Sequence, residues 1–432
     1  MTPRFRAVKG TRDLFPPESD RWIEAERIAR ETFGSWGYGE VRTPVLEDTA
    51  LFARSVGETT DIVHKEMYTF PDRKGRSLTM RPENTAGVVR ALIENGLASG
   101  PTPLRLYYVG PQFRYERPQA GRYREFSQIG VELFGVEGPS GEAEVIEMLF
   151  AFLESLGFRD LSVSLNSVGT AETRASFGEA LRAHVLPRAK AFGDDDRRKL
   201  ADNPLRLFDS KDPAVRETLA EAPRTLDFLD DRSRLHHGEV QRLLTEAGIP
   251  HHDDPSLVRG LDYYTRTVFE VSSGDLGAQD AILGGGRYDG LVASLGGPSL
   301  PAVGFAIGED RLLQVAPLTL PRRAFVIVLP QGTDDVADAT RIAREVRVAL
   351  PGGRVEVDLT ARGLKKGMAR ASSLYAEADT RGFDGRTMLA LFVGERERAA
   401  GAVTVKELAT GDQETIPVAE LVRRLAAERS TR

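Results

Sequence analysis

Apolar residues recur along this chain of 432 residues with two different periods. In residues 20–33, DRWIEAERIARETF, Trp22, Ala25, Ala29 and Phe33 fall on one helical face, and Pro16, Pro17 and Ser19 before them suit a helix start. YGEVRTPVLE follows as an extended segment, which Pro44 confines to an edge or boundary. Residues 104–114 and 124–134 alternate as two strands around a turn. In the second, Ile129, Val131 and Leu133 share one face, and Gln128, Gly130 and Glu132 share the other. The first face reads as core. On the other, an amide and a carboxylate flank a glycine, which leaves room for a ligand; a solvated polar face is the plainer reading of this strand taken alone.

Residues 141–156 predict a helix and 161–165 a short strand. From about 171 to 250 charge rises, glycine falls and helical periodicity dominates, which predicts a helical insertion. Strand patterns return at 257–271 and 279–283, followed by GGGRYDG. Residues 301–316, PAVGFAIGEDRLLQVA, read as a strand running through Gly308 into a helix. PLTLPRR (317–323) reads as a linker. Beyond it, AFVIVLP, a helix from about 333 to 349, RVEVDLT, a helix from about 364 to 378 and TMLALFVG follow in βαβαβ order. A hairpin and a last helix complete a separate small α/β domain. No G-x-G-x-x-G follows its first strand, so no dinucleotide site is expected there.

Composition narrows the chemistry. Cysteine is absent, which excludes disulfides, thiolate nucleophiles and Cys-based zinc sites. The N-terminus, MTPRFRAVKGTRDLF, lacks the apolar core of a signal peptide. No apolar run reaches the ~18 residues needed to span a bilayer, so the expectation is a cytoplasmic protein without a membrane partner. The net charge of -6 argues against nonspecific nucleic-acid binding by bulk charge and leaves local basic patches open.

One such patch is FRYERPQAGRYREF (113–126), where Arg114, Arg117, Arg122 and Arg124 alternate with aromatic rings. As a hairpin tip, its arginines would pair with Glu116 and Glu125, contributing about 0–1 kcal/mol each. As a binding loop, its guanidinium forks would grip phosphates and stack on bases. LVRGLDYYTRTVFE (257–270) offers Arg259 before a glycine, then Tyr263 and Tyr264; an amphipathic strand with buried tyrosines is the plain alternative. In VGFAIGEDR (303–311), Gly304, Ala306 and Gly308 leave one strand face open to a flat ligand, and Arg311 falls in the first turn of the next helix. Close strand–helix packing with Arg311 solvated explains the same pattern. In TMRPENTAG (79–87), Arg81 and Glu83 share a face if the segment is extended. The adjacent pairs His236/His237 and His251/His252 point apart and read as solvated surface residues, not as metal ligands. No Ser-His-Asp arrangement or Walker loop is visible.

Together these segments resemble the histidyl-tRNA synthetase family of class II aminoacyl-tRNA synthetases, over nearly the whole chain. The resemblance runs through KGTRDLFPPE, the motif 1 region around YGEVRTPVLE, TMRPENTAG, and motif 2, FRYERPQAGRYREF, leading into SQIGVELFG. It continues through the histidine signatures LVRGLDYYTRT and GGGRYDGL, motif 3 in VGFAIGEDR, and NPLRLFDSK in the insertion. LKKGMARA and GAVTVKEL carry it into the C-terminal domain, where RASSLYAEADTRGFDGRTM is less typical.

The resemblance implies an α+β fold: an antiparallel sheet flanked by helices in a catalytic domain, residues 1–320, interrupted by the 171–250 insertion. A C-terminal α/β anticodon-binding domain, 324–432, would follow. It also implies a homodimer with motif 1 at the interface. The implied reaction is activation of histidine by ATP, accompanied by Mg²⁺ and without zinc, then transfer to tRNA(His). Arg114 and Arg259 would act on the α-phosphate, Arg259 also on the substrate carboxylate, and Arg311 on the γ-phosphate, with Glu116 beside the ATP. Glu83 and Thr85 would meet the α-ammonium, with Asn84, at a position that varies among relatives, and Gln128 nearby. Glu132 and Tyr264 would read the imidazole, with Tyr263 lining the pocket. Arg117, Gln119, Arg122 and Arg124 would serve the tRNA acceptor end or hold the loop. Two rivals stand beside this reading. One is the regulatory subunit of ATP phosphoribosyltransferase, a binding relative of the same fold without the anticodon domain. The other is a class II synthetase for proline, threonine or glycine, against which the two histidine signatures argue.

Overall fold

The hairpin around residues 113–126 lies within a sheet of eight strands, in a computed structural model that describes residues 5–57, 60, 62–117, 122–258, 263–274, 281–361, 363–378 and 380–429. Across the sheet the strands run Gly39–Glu40, Leu104–Phe113, Glu125–Phe134, Ala302–Gly308, Ala281–Arg287, Thr267–Ser273, Leu161–Ser167 and His251–Asp253. The six inner strands pair antiparallel, and a short parallel strand closes each edge.

Register follows from burial. Ile129, Val131 and Leu133 are fully buried, and each such side chain contributes roughly 1.5–3 kcal/mol. A slip of one residue would turn all three to the other face of the sheet. The helix Glu18–Ser35 buries Trp22, Ala25, Ala29 and Phe33 as their spacing predicts. Phe33 meets the rings of Tyr107, Phe152 and Phe305 at 5.3–6.1 Å, so this helix and the helix Ser140–Ser155 pack on the side that carries Tyr107. The neighbouring Tyr108 therefore faces the other way.

Two segments depart from expectation. The strand expected over 257–271 spans Thr267–Ser273, because Arg266 takes φ 51° and Thr265 donates its N–H to the Arg287 carbonyl. The strand expected over 279–283 spans Ala281–Arg287 and so takes in the glycines of GGGRYDG. Between residues 171 and 246 lie the helices Ala171–Val185, Asp194–Asp202, Pro213–Ala220 and Asp231–Glu246. Phe177, Leu181, Phe192, Leu207 and Val215 form a core cluster there. His236 and His237 are buried, against the expectation of solvated histidines. The helix Asp231–Glu246 lays His236 on Glu142, at 2.7 Å, and His237 on Asp253, at 2.8 Å.

The chain divides into two units, residues 1–13 with 22–318 and residues 14–21 with 319–432. The second unit holds a five-stranded sheet in the order Arg354–Val357, Arg323–Pro330, Phe383–Val393, Ala402–Glu407, Gln413–Pro417. The first three strands are parallel and the last two antiparallel. Val326 and Val328 pack toward the helices Val336–Ala349 and Val418–Arg429, while Phe325, Ile327 and Leu329 pack toward Leu364–Ala376. Burial on both faces explains the continuous apolar run AFVIVL.

Candidate active site

The strand Ser77–Met80 delivers the chain to Arg81, which turns inward. Its guanidinium donates to the carbonyls of Pro111 and Thr43, both at 2.9 Å, and to the Thr43 hydroxyl at 3.0 Å. The chain then starts the helix Thr85–Glu94, whose first N–H groups need acceptors. Glu83 supplies them: its carboxylate accepts from the Thr85 N–H at 2.6 Å and the Ala86 N–H at 3.0 Å. The extended segment on which Arg81 and Glu83 were expected to share a face reaches only to Arg81, and the chain bends at Pro82. Burial pushes the Glu83 carboxyl up, opposed by the two amide N–H groups and by Arg114.

Glu132 stands opposite, on the strand Glu125–Phe134. The Thr85 hydroxyl donates to its Oε1 at 2.7 Å, and the Tyr288 hydroxyl donates to its Oε2. Burial pushes this carboxyl up to about 8, against those two bonds. The polar face of the strand is not solvated, since Gln128 is 8% exposed and Glu132 1%. The room expected beside Gly130 is taken, whereas Gly304 and Ala306 line the cavity as expected. Tyr108 pairs with Gly130 across the hairpin, and a Cβ on Gly130 would lie 2.2 Å from its ring. A Cβ on Gly304 would lie 2.3 Å from the Glu132 carboxylate. These glycines make space for protein side chains, which then shape the cavity; beside Gly308 no atom lies within 4 Å of an added Cβ.

The cavity between these groups has a volume of about 210 Å³, below the ~300 Å³ at the small end of drug-sized pockets and on the scale of an amino acid. Glu83, Thr85, Gln128, Glu132, Tyr263 and Tyr264 all line it. The Tyr263 ring sits 4.8 Å from Tyr264 and 5.5 Å from Tyr288. Among the described residues, the Tyr108 hydroxyl and the Gln128 Oε1 are buried without a hydrogen-bond partner. Buried polar groups are rarely left so, and both lie in the cavity wall, one able to donate and one to accept. The wall therefore suits a small polar ligand that carries both a hydrogen-bond donor and an acceptor.

Arg114 is the cationic side chain among the described lining residues. It donates to the Pro82 carbonyl at 2.8 Å and lies 5.2 Å from the Phe126 ring centroid, two contacts that hold it in the cavity wall. The rest of the arginine loop divides by geometry. Arg124 stacks 3.8 Å over Tyr115 and donates to the carbonyls of Glu116, at 3.2 Å, and Lys9, at 3.3 Å. Arg122 is exposed and faces the Glu116 carboxylate at 3.5 Å, and Arg117 is exposed. Asn84 is buried outside the cavity lining, its amide oxygen accepting from the Thr43 hydroxyl at 2.7 Å. Arg311 is exposed in the first turn of the helix Glu309–Val315 and also does not line the cavity. Gln119 and Arg259 lie outside the described residues.

Five lining residues escaped the sequence reading, Ile62, Tyr108, Gly284, Tyr288 and Phe305, and two of them are tyrosines. Tyr108 carried a signal: alternation in LYYV puts it opposite Tyr107 and onto the ligand face. Tyr288 lies inside GGGRYDG, a motif noted without singling out its tyrosine.

A family model described as histidyl-tRNA synthetase matches residues 10–312, and one described as an anticodon binding domain matches residues 324–428. A histidine–tRNA ligase of Synechococcus elongatus is 46% identical over 422 residues, covering 97% of this chain and 94% of the relative. Its counterpart from Koribacter versatilis is 46% identical over 96% of this chain and 95% of its own. The crystal structure of apo histidyl-tRNA synthetase from S. aureus matches with TM-score 0.77 and 34% identity, covering 98% of this chain and 100% of that one.

Proposed function

The chain belongs to the histidyl-tRNA synthetase family, and from that premise we propose which of its residues carry the reaction. The protein is an ATP-dependent ligase. It activates histidine to histidyl-adenylate with release of pyrophosphate, then passes histidine to the 3′ end of tRNA(His). The observation that carries the residue assignment is the enclosed Glu132, held by Thr85 and Tyr288 in a cavity of amino-acid size.

In this reading Glu132 and Tyr264 receive the imidazole, with Tyr263, Tyr108 and Tyr288 completing its wall. A ligand without ring nitrogens leaves the buried Tyr108 hydroxyl without a partner, which is a ground for rejection. Glu83, Thr85 and Gln128 take the α-ammonium. The substrate carboxylate then attacks the α-phosphorus and pyrophosphate departs. Negative charge builds on the phosphate oxygens, so fixed cations aimed at them lower the barrier. Arg114 and Arg259 take the α-phosphate, with Arg259 also on the carboxylate, and Arg311 and Glu116 serve the rest of the ATP. Mg²⁺ would enter with ATP, held chiefly by phosphate oxygens and water. Among the described residues no group of three or more His, Asp or Glu is arranged to hold a metal ion by itself.

Arg117, Gln119 and Arg122 are assigned to the tRNA acceptor end. The contacts of Arg124 favour holding the loop against the N-terminal segment. Residues 324–432 are assigned to the anticodon, the chain is taken as a homodimer joined at its motif 1 region, and its place is the cytoplasm. Among the described residues no helix is long and apolar enough to cross a membrane.

The test is ATP–pyrophosphate exchange on the purified protein with histidine, and with proline, threonine and glycine as controls. Exchange with histidine alone is expected. A folded protein that exchanges with none of them would overturn the reading in favour of a binding relative.

A further inference from the structure

The segments that carry the cavity's tyrosines are pinned from behind by side chains that never touch the cavity. Arg174, on the helix Ala171–Val185, donates to the main-chain carbonyl of Tyr264 at 2.9 Å. Two backbone bonds flank that contact: the Arg266 N–H to the Gly169 carbonyl at 2.9 Å, and the Val168 N–H to the Arg266 carbonyl at 2.7 Å. On the other side, His236 on the helix Asp231–Glu246 meets Glu142 at 2.7 Å.

Glu142 in turn receives Arg287, and both side chains are fully buried. Arg287 spends all five of its N–H donors: two on Glu142, one on the Val136 carbonyl at 2.9 Å, one on the Gly138 carbonyl at 3.0 Å and one on Asp289 at 3.0 Å. The other oxygen of Asp289 takes Arg266 at 3.2 Å, and the Asp289 N–H donates to the Thr265 hydroxyl at 3.1 Å. Tyr288 lies between Arg287 and Asp289 and sends its hydroxyl to Glu132. One network therefore fixes the Tyr263–Arg266 segment and the Tyr288 segment against each other.

The outer members of this network, Arg174 and His236, stand on the helices between residues 171 and 246. A buried Arg–carboxylate pair brings little net stability over packed apolar groups, and its better attested use is to specify geometry. We propose that Arg174 and His236 are positioning residues for histidine recognition, through which the helical segment sets the placement of Tyr264 and Tyr288 in the pocket. The proposal rests on the reading of that pocket as the histidine site. It makes histidine affinity sensitive to whatever moves these helices, while ATP affinity is not.

The experiment is steady-state ATP–pyrophosphate exchange on the full-length protein and on Arg174→Ala and His236→Ala, varying histidine and ATP separately, with thermal unfolding of each variant. The expected result is a rise of about tenfold in the histidine KM for each, the scale of one charge-assisted hydrogen bond. The ATP KM should stay within about twofold, and Arg174→Lys should recover most of the loss by restoring a charged donor. An unchanged histidine KM in both variants would overturn the proposal. So would histidine and ATP KM values rising together, which is the mark of a merely structural role. If an alanine variant fails to fold, Arg174→Met and His236→Leu, which keep the bulk and remove the donor, carry the same comparison. A wild-type protein without histidine-dependent exchange overturns the pocket reading itself, and this proposal with it.

Discussion

Glu309 opens the helix Glu309–Val315 with a side chain that is 0% exposed. Neither of its carboxyl oxygens finds a hydrogen-bond partner among the described residues. Burial pushes this carboxyl up to about 8, and Glu26 and Asp310 add to the shift. Ser127 lies near enough to oppose it without meeting hydrogen-bond geometry, and Arg30 opposes it more weakly. In the unfolded chain the same carboxyl titrates at its ordinary value of 4.5. Between those two values the folded protein holds a proton that the unfolded chain has released. Stability contributed by this group is therefore lost as pH rises from about 4.5 to about 8, at about 1.4 kcal/mol per pH unit, and is flat outside that window. From pH 5.5 to 7.5 the loss is about 3 kcal/mol, an upper figure because water reaching the opened site softens it. Glu309→Gln keeps the shape and removes the titration. Both tryptophans, Trp22 and Trp36, lie in the first unit, so urea unfolding followed by tryptophan fluorescence reads that unit alone. Glu132 titrates in the same range and leaves the variant a residual slope. The expectation is that Glu309→Gln loses about 3 kcal/mol less than the wild type between pH 5.5 and 7.5. Parallel curves for the two proteins would refute the reasoning.

Glu132→Ala is expected to raise the histidine KM by about 100-fold or more with little change in the ATP KM, since a site built to hydrogen-bond a ring loses its acceptor; exchange kinetics read both. Gly130→Ala drives a Cβ into the Tyr108 ring, and a loss of about 1–3 kcal/mol in urea unfolding is expected. Arg287→Met strands a buried Glu142 carboxylate and is expected to cost about 3–5 kcal/mol, most of it recovered when Glu142→Leu is added, as the same unfolding assay will show. Deleting residues 322–432 is expected to impair tRNA charging far more than ATP–pyrophosphate exchange, and equal impairment would count against their assignment to the anticodon.

Local pattern carried a large part of this structure. The hairpin of Leu104–Phe113 and Glu125–Phe134 is written in strict alternation, and the helix Glu18–Ser35 in its apolar stripe. The order of strands and helices beyond residue 323 is equally plain, because each element buries a face that its own residues define. What escaped depends on partners far along the chain. His236 is buried because Glu142, 94 residues away, needs it. The stretch before Thr267 reads as strand until Arg266 turns to a positive φ and Thr265 bonds Arg287. The same limit applies to the site. Motifs nominated Glu83, Thr85, Gln128, Glu132, Tyr263, Tyr264 and Arg114, and the fold gathers all seven around one cavity. No local pattern could say that Glu83 would also cap a helix, or that Tyr108 would fill the space over Gly130.

That filled space limits how the pocket can change over evolutionary time. Any replacement of Gly130 or Gly304 adds an atom where Tyr108 or Glu132 already stands, so no single codon change at either position can reshape the wall without a clash. A lineage drifting toward another ligand would have to trim the tyrosine or the glutamate first, dismantling the present cavity wall before it could build a new one. Two residues that contribute no side chain thus dictate the order in which their neighbours can mutate.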